Sequence, residues 1–374
     1  MQHGRLYYLD ALRSFCMLYG VFVHTGAFLG KGGLWQISFA SEFFRMGTFF
    51  LVSGFLVALV AARTSVPSVL RRRSVALLVP LATLVILVNP VTCWLIHLRH
   101  AGPMPLSEFL FGGGWRAPTG GDASWLLHLW FLVALWVYVM LFPVMAWVAA
   151  LPPVRRGLDA LGRRPTEIVV PAVAVAVALA VAVLRGAGEI ALGPLVEGTR
   201  LDWVTSATIA YLPYFALGVL MHASRGFFER MHGVSFAGLG LGLAFGLGLA
   251  GFGDALPRSV GTLAEAMARA TLTIAIVASL LWLARATVST RSRLLGVLTE
   301  TIYTVYLFHY VAIYALGLLL LRFVPAGPVY YLVLSPAVIL LLVGFHHFVV
   351  ARSPLLRLLL NGRPMPAADR VAAG

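Results

Sequence analysis

The first apolar segment of the sequence contains ionisable residues at a spacing that suits chemistry. Asp10, Arg13 and His24 all lie within it. Arg13 and His24 are separated by almost a whole number of helical turns, so a helix would project both from one face, about 16 Å apart along its axis. Asp10 precedes Arg13 by one helical turn and can pair with it. Ionisable side chains are costly in an apolar setting and by default mark a functional site.

Two more histidines, His128 and His309, lie in later apolar segments. The three histidines could line one cavity, and a histidine whose pKa is near neutrality can accept a proton from an attacking hydroxyl group. Metal binding is a weaker interpretation, because no carboxylate or thiol lies near them at the spacing of metal ligands, and we expect no metal. The structural alternatives are a packing histidine at His24 and a neutralising ion pair between Asp10 and Arg13.

The composition indicates which elements must carry these side chains. The chain has 374 residues, of which 60% are hydrophobic and 11% charged, and a mean hydropathy of +0.91. Soluble proteins have about 25% charged residues, so a soluble multidomain enzyme and a disordered chain are both excluded. The 2 cysteines, Cys16 and Cys93, lie in apolar runs, which excludes a disulfide scaffold. We therefore predict an all-α polytopic membrane protein whose environment is the lipid bilayer.

A helix that crosses a membrane needs about 20 mainly apolar residues. With that window the sequence predicts about ten transmembrane helices, and the first is expected to be retained because its charges do not suit a cleaved signal peptide. In the seventh segment the glycines between Gly238 and Gly251 favour close helix packing. The predicted centres lie near Leu18, Leu51, Val85, Leu135, Val175, Tyr211, Gly242, Ile274, Phe308 and Leu340.

The distribution of lysine and arginine predicts the orientation of the chain. Alternate connections between the predicted helices carry 18 basic residues, and the other connections carry 7. Basic connections remain in the cytoplasm, so both termini are predicted to be cytoplasmic. The excess of basic residues in the cytoplasmic connections accounts for most of the net charge of +14. Because no soluble domain is expected to carry a basic face, no nucleic acid is expected as a partner.

Two long connections are predicted on the extracytoplasmic side, over residues 97–124 and 185–202. The first combines Trp115 with several glycines, and the second carries charges of both signs and is followed by Trp203. Such a composition suits a shallow surface for a polar ligand such as a sugar. The alternative is an interfacial loop with aromatic residues at the level of the headgroups. The chain as a whole is predicted to form a single integral membrane domain, 1–374.

Six segments, in order, resemble the motifs of the membrane acyltransferase type 3 family. One such motif would be a weak signal in so apolar a chain, but their joint order is a strong one, and they extend over nearly the whole sequence. The middle and C-terminal segments are most similar to the branch that succinylates osmoregulated periplasmic glucans. The segments are residues 9–13 with the spacing from Arg13 to His24, and residues 44–55, 128–132, 211–215, 306–309 and 354–357.

The resemblance implies an O-acyltransferase in a bacterial inner membrane. Such an enzyme takes an acyl group from cytoplasmic acyl-CoA and places it on a hydroxyl of a periplasmic or cell-surface glucan. We expect succinyl-CoA, with acetyl-CoA as the alternative, to be a co-substrate, and no permanently bound cofactor. The oligomeric state stays open, with a homodimer among the alternatives.

The resemblance also implies roles for individual residues. We hypothesise that the pantetheine arm passes Arg13 and Arg45 and presents its thioester near His24, which is the general base or, alternatively, carries the acyl group transiently. Asp10 would support Arg13, and Arg45 would pair with the free carboxylate of a succinyl group. Donor binding is assigned to Arg45, Ser53, Arg71, Arg72 and Arg73, and acceptor binding or oxyanion stabilisation to His128, Trp130, Tyr306 and His309.

Two other functions are weighed against this one. An O-acetyltransferase of another cell-surface polysaccharide would share the same motifs. A polysaccharide flippase or secondary transporter would also have many apolar helices with charges inside them, but the sequence shows no inverted repeat and no paired broken helices in corresponding halves. The cluster of residues 71–73 is also what topology alone would produce.

Overall fold

A computed structural model describes residues 6–30, 34–114, 126–199, 201–252, 257–290 and 292–363. Within these ranges all regular elements are helices, and eight of them are long and apolar enough to cross a membrane. The protein is therefore an all-α polytopic membrane protein, as the sequence predicts. The helices are α1 (Tyr7–Leu29), α2 (Trp35–Glu42), α3 (Arg45–Ala61), α4 (Val66–Leu87), α5 (Asn89–His100), α6 (Leu106–Phe111), α7 (Trp130–Ala150), α8 (Pro152–Gly162), α9 (Thr166–Val196), α10 (Asp202–Ala223), α11 (Arg225–Arg230), α12 (Phe236–Phe252), α13 (Arg258–Thr287), α14 (Arg293–Leu320), α15 (Pro328–Phe348) and α16 (Pro354–Asn361).

Each of the ten predicted centres falls inside one of these helices. The third falls in α4, which together with α5 passes the same length and hydropathy test but bends by 50° between the two helices. Pro90, in the first turn of α5, has no N–H group to continue the hydrogen-bond ladder of α4, which explains the break. The seventh centre falls in α12, which at 17 residues is shorter than the usual span.

The two connections predicted to be extracytoplasmic contain more helix than expected. Residues 185–196 continue α9, so only the remainder of the predicted loop 185–202 connects α9 to α10. The connection 97–124 begins inside α5 and contains α6, while residues 115–124 lie outside the described residues. Composition does not explain the longer α9, because residues 185–196 contain three glycines and Pro194, which disfavour a helix.

The chain divides into two compact units. The first comprises Met1–Cys16, Ala40–Leu70 and Val137–Leu295, and the second comprises Met17–Phe39, Arg71–Trp136 and Gly296–Gly374. Helix α1 contributes residues to both. The single domain 1–374 that we expect from the sequence stays a prediction.

In the first unit, α3 and α10 pack backbone against backbone through two glycines. A methyl group added at Gly54 would overlap the carbonyl oxygen of Phe215, and one added at Gly218 would overlap that of Leu51. Only glycine permits so close an approach of two helices.

The predicted glycine packing of α12 holds at some positions only. A methyl group at Gly242 would lie 2.9 Å from the backbone nitrogen of Leu272, and one at Gly238 would lie 3.1 Å from Cγ1 of Val170. At Gly246 the same addition meets open space. Close packing therefore accounts for Gly238 and Gly242, and not for Gly240 or for the pattern as a whole.

The N-terminus of α12 is capped by the carboxylate of Glu167, a residue of α9. Glu167 accepts hydrogen bonds from the backbone N–H of Phe236 (3.0 Å) and of Ala237 (2.9 Å), and from the hydroxyl of Ser235 (2.9 Å). The first N–H groups of a helix have no partner within the helix, and a negative charge there is favourable. This contact fixes the start of α12 against α9.

His232 is a neutral histidine that follows α11 in the first unit. Its Nδ1–H donates to the carbonyl of Phe228 (2.7 Å), and its Nε2 accepts from the hydroxyl of Tyr8 (3.1 Å). Burial lowers the pKa of His232 to about 4, and the Arg285 charge acts in the same direction. The folded chain therefore favours the neutral ring.

We expect the free energy of unfolding to decrease as the pH falls from about 6.5 to about 4. In this window the unfolded chain has already bound a proton on His232 and the folded chain has not, so protons favour unfolding. Above about pH 6.5 the ring is neutral in both states and the folded chain keeps its full stability. Thermal unfolding of the wild type and of His232→Gln at pH values from about 4 to 8 checks this; an equal acid sensitivity of the two proteins would contradict it.

In the second unit, polar contacts of Tyr303 and Thr304 join α14 to α4, α15 and α16. The Tyr303 hydroxyl of α14 donates to the carbonyl of Ala76 in α4 (2.8 Å). The Thr304 hydroxyl donates to Oδ1 of Asn361 (3.1 Å) and accepts from Nδ1 of His346 (2.7 Å). These bonds satisfy buried polar groups and hold the short α16 against the long helices.

Candidate active site

Three histidines from three separate segments meet in the second unit. His24 lies in α1, His128 in a 3₁₀ turn directly before α7, and His309 in α14. The ring centroids are 5.1 Å apart for His24 and His309, 4.6 Å for His128 and His309, and 6.5 Å for His24 and His128. We call these three residues the histidine cluster. The structure thus brings together the histidines that the sequence singles out.

The segment that delivers His128 is strained. The preceding residue, Leu127, has a φ of 45°, in the left-handed region that a leucine rarely adopts. It is buried, at 4% exposure, so its surroundings hold it in place. Such backbone strain concentrates at functional sites. A tight turn here aims His128 at α14 before α7 begins.

Backbone carbonyls fix the tautomers of the two buried histidines. His128 Nε2 contacts the Leu307 carbonyl (3.3 Å), and His309 Nδ1 contacts the Tyr306 carbonyl (2.6 Å). A carbonyl oxygen can only accept, so both of these nitrogens carry the proton, and the neutral rings have their lone pairs on His128 Nδ1 and His309 Nε2. His128 Nδ1 is buried and has no hydrogen-bond partner among the described residues.

This arrangement bears on the two roles predicted for His128. An oxyanion is stabilised by a donor, and the only donor of neutral His128 is already bonded to Leu307. Its remaining nitrogen is an acceptor, which can receive a hydrogen bond from a hydroxyl group. Of the two predicted roles, positioning the acceptor hydroxyl therefore has the better support, and the role itself stays a prediction.

Two tyrosines surround the histidine cluster. The hydroxyl of Tyr306 donates to the backbone carbonyl of His128 (2.9 Å), so Tyr306 holds the turn that carries this histidine. The ring of Tyr310 stacks on His128 with centroids 4.9 Å apart and planes 2° apart, and lies 4.7 Å from the ring of His24. Trp130, the first residue of α7, packs edge to face against Phe131.

The histidines differ in how deeply they are buried in the protein. His128 and His309 are 6% and 3% exposed, whereas His24 is only partly buried. A group that exchanges protons with a substrate must be reachable by it. His24 therefore meets the access requirement for a general base, and the roles predicted for His128 and His309 stay predictions.

Four of the predicted site residues lie in the first unit: the catalytic candidates Asp10 and Arg13 and the donor-binding candidates Arg45 and Ser53. The guanidinium of Arg13 lies over the ring of Phe49, 5.1 Å from its centroid. Arg13 and Arg45 both lie within electrostatic range of the buried Cys16 thiol. The hydroxyl of Ser53 is buried and has no hydrogen-bond partner in the part of the chain that the structure describes. Asp10 lies in the first turn of α1.

The three arginines of α4 do not share one environment. Arg71 and Arg72 are exposed, whereas Arg73 is partly buried and lies within electrostatic range of the Tyr303 hydroxyl. Arg363, which follows α16, acts on the same hydroxyl. Arg73 therefore differs from Arg71 and Arg72 in its burial, and it shares the surroundings of the Tyr303 hydroxyl with Arg363.

Sequence reasoning missed four residues near these sites. Tyr310 and Ser14 were detectable, because each directly follows a predicted site residue in the chain. Leu127 was not, because a leucine gives no sign of a left-handed backbone. Arg363 was not either, since a basic residue near the C-terminus is also what topology predicts. Ser14, like Ser53, has a buried hydroxyl without a hydrogen-bond partner among the described residues.

A metal centre has no support in the described part of the chain. No group of three histidine, cysteine, aspartate or glutamate side chains there is arranged to hold a metal ion.

The fold and the site together define a class: a multi-pass membrane protein with a histidine cluster inside its helices. A family profile described as an acyltransferase domain, type 3, matches residues 6–347. The chain belongs to this acyltransferase family, and the resemblance seen in the sequence is confirmed.

The curated relatives that match the chain here share one name. The chain is similar to "Glucans biosynthesis protein C" of Escherichia coli strain K12, with 23% identity over 234 residues. The proteins of the same name from strains O1:K1 / APEC and O139:H28 match at the same identity. The alignment covers 58% of this chain and 58% of the K12 relative, which is less than two thirds of its length. No solved structure matches the chain.

Proposed function

We propose that the protein transfers an acyl group from acyl-CoA to a hydroxyl group of a glucan, in the inner membrane of a bacterium. The observation that carries this proposal is the histidine cluster, with a partly exposed His24 beside two rings whose lone pairs are fixed by backbone bonds. The name of the curated relatives supports a glucan as the acceptor. The succinyl group, with acetyl as the alternative, rests on the motif resemblance alone.

The reaction needs one proton transfer and one exchange of bonds at the acyl carbon. His24 takes the proton of the glucan hydroxyl as its oxygen attacks the thioester carbon. The new C–O ester bond forms, the C–S bond breaks, and the CoA thiolate leaves and takes up a proton. In the alternative route His24 attacks first and holds the acyl group until the hydroxyl displaces it. Mass spectrometry of the protein after incubation with acyl-CoA alone separates the two routes, because only the second leaves an acyl group on the peptide that contains His24.

A row of aromatic rings leads from the histidine cluster to a basic group. Tyr310 stacks on Tyr314 with centroids 6.0 Å apart, and the Tyr314 hydroxyl lies 3.3 Å from Nε2 of His100. Arg99 lies over the ring of Phe28, 5.1 Å from its centroid. Aromatic rings offer large apolar faces with polar groups at their edges, which suits a sugar ring that has both. We assign the approach of the acceptor to this row.

Transfer of label tests the proposed function. The purified protein is incubated with a glucan and with radiolabelled succinyl-CoA or acetyl-CoA in parallel. Label on the glucan supports the enzyme, and the better donor identifies the acyl group. Movement of unmodified glucan into a vesicle, without label on it, would instead support a flippase and overturn the proposal. The mass increment of the product glucan identifies the group independently.

The arginines of α4 should differ in their effect on donor binding. We expect Arg73→Gln to raise the KM for acyl-CoA about ten-fold, equivalent to about 1.4 kcal/mol, because a partly buried guanidinium can bind a phosphate of CoA in fixed geometry. Arg71→Gln, at an exposed position, should change the KM less than about three-fold, as exposed charges usually do. Initial rates at varied donor concentration measure both values; an equal change would contradict the separate role of Arg73.

Arg45 should determine the choice of acyl group. We expect Arg45→Gln to reduce kcat/KM for succinyl-CoA about ten-fold or more, since a carboxylate in an apolar site needs a positive partner, and to affect acetyl-CoA much less. Arg45→Lys keeps the charge and should retain part of the preference for succinyl-CoA. Competition between the two donors measures the ratio. Equal losses for both donors would show that Arg45 does not recognise the carboxylate.

A further inference from the structure

A cavity of about 310 Å³ with both polar and apolar walls lies in the first unit, between the C-terminal part of α9 and the N-terminal part of α10. Its charged walls are Arg185 and Glu189 on α9 and Asp202 on α10, and Thr205 and Ser206 add hydroxyl groups. The volume is at the lower end of the range for ligand pockets, about 300–1,000 Å³. None of the predicted site residues lines it. The cavity therefore differs from the histidine cluster and from the sites of the arginines predicted to bind the donor.

The cavity lies beyond the part of α9 that suits a lipid environment. Helix α9 has 31 residues, or about 46 Å at the helical rise, whereas the hydrocarbon core of a membrane is about 30 Å thick. Its apolar run ends before Arg185, and both Arg185 and Glu189 are exposed. The walls are therefore placed to face water at the membrane surface. The distribution of basic residues predicts that this is the extracytoplasmic side.

The lining suits a neutral carbohydrate better than an ion. The guanidinium of Arg185 reaches across to Oγ of Ser206 (3.5 Å), while Glu189 and Asp202 provide acceptors. An anion would meet two carboxylates, and a cation would meet Arg185. Sugar hydroxyls both donate and accept, so they can use all of these groups at once.

The cavity also has apolar walls that can contact a sugar ring. Val196 and Ile209 line the same cavity, and they offer contact to the C–H faces of a sugar ring. Trp203 follows Asp202 directly and is 45% exposed. An exposed indole ring on the residue next to this lining is suited to stack on a further sugar unit.

We propose that this cavity is a subsite that binds a glucan chain at sugar units other than the one being acylated. The identity of the ligand as a glucan rests on the proposed function. Holding a long chain at a second point raises the effective concentration of its hydroxyl groups near the reaction site. The subsite therefore lowers the KM for long glucans and leaves kcat unchanged, because it binds substrate and transition state equally.

Direct binding tests the subsite without any acyl transfer. The full chain in detergent is titrated with a linear glucan heptasaccharide by calorimetry, with glucose as a short reference. We expect Asp202→Asn and Arg185→Gln each to weaken the Kd of the heptasaccharide about ten-fold or more. Glu197→Gln, an exposed carboxylate of the same connection that does not line the cavity, should bind like the wild type. Equal binding by all four proteins, or no binding by the wild type, would overturn the proposal.

Two further measurements connect the subsite to the reaction. In Asp202→Asn the KM for the heptasaccharide should rise about ten-fold with kcat unchanged, and the rate with glucose should not change. A Glu197→Cys variant should react with a membrane-impermeant maleimide added outside intact cells, and the native Cys16 and Cys93 give little background because both are buried. Labelling only after permeabilisation would place the cavity on the wrong side and contradict the proposal.

The subsite and the proposed function can fail separately. If label reaches the glucan but the cavity variants bind and react like the wild type, the subsite is refuted and the acyltransferase function stands. If the heptasaccharide binds at the cavity but no label is ever transferred to it, the proposed reaction is refuted and the carbohydrate site stands.

Discussion

His24→Ala is expected to lower the rate of acyl transfer to the glucan by about 10²–10⁴-fold, which is the usual contribution of a general base. His24 is the partly exposed member of the histidine cluster, 5.1 Å from His309 and 4.7 Å from Tyr310 between ring centroids. Loss of its ring removes the group that takes the hydroxyl proton. Since the side chain is not fully buried, the variant should keep the thermal stability of the wild type and its affinity for acyl-CoA.

The control for this result is a second histidine with a comparable environment. His222 is also partly buried, in the first unit, where its ring contacts Phe55. It does not belong to the histidine cluster, so His222→Ala should retain most of the transfer rate. Added imidazole should restore part of the activity of His24→Ala but not raise that of His222→Ala. Normal modification of the glucan by His24→Ala would refute the role of His24.

The buried histidines should behave differently from His24. His128 and His309 each donate to a carbonyl of α14, and replacement by alanine removes that bond as well as the ring. Each variant should therefore lose thermal stability together with activity, since an unsatisfied buried group costs about 1–3 kcal/mol. This difference distinguishes a group that takes part in the reaction from groups that position the substrate.

The fold could be predicted because a membrane imposes simple rules on a sequence. Apolar segments of a given length gave ten centres that all fall inside helices, and the cost of burying ionisable groups singled out His24, His128 and His309 as candidate site residues. The break between α4 and α5 was harder to foresee, because hydropathy counts apolar residues and ignores the N–H group that Pro90 lacks. The extent of α9 past Arg185 was missed for a related reason: outside the membrane a helix does not need to be apolar.

The site could be predicted in its residue types and less well in its geometry. No sequence pattern shows that the Tyr306 hydroxyl is used on the backbone of His128, or that His128 has only an acceptor to offer a substrate. Likewise, residues 71–73 are identical in the sequence and differ only in where α4 places them. These properties depend on contacts between residues far apart in the chain.

A methyl group at Gly218 is expected to have the largest effect on stability of any small substitution in the first unit. In Gly218→Ala the added carbon would overlap the carbonyl oxygen of Leu51, and the backbone nitrogen of Phe55 would be only 2.7 Å away. Overpacking in a core costs about 1–3 kcal/mol, and more when nothing can move aside. Thermal unfolding in detergent measures the loss. Gly246→Ala, which meets open space, is the control and should unfold at or above the temperature of the wild type.

The atom that obstructs an added methyl group belongs to a side chain at Gly47 and to the backbone at Gly218. At Gly47 a methyl group would also be too close to a neighbour, but that neighbour is Cγ2 of the Thr273 side chain, 2.6 Å away. Gly47→Ala should therefore regain stability when combined with Thr273→Ser, which lacks this methyl group. No side-chain truncation can do the same for Gly218→Ala, because the obstructing oxygen belongs to the backbone of α3. Since α3 also carries Arg45 and Ser53, relief can come only from a shift of α3 against α10, and such a shift would displace the predicted donor residues together with the helix.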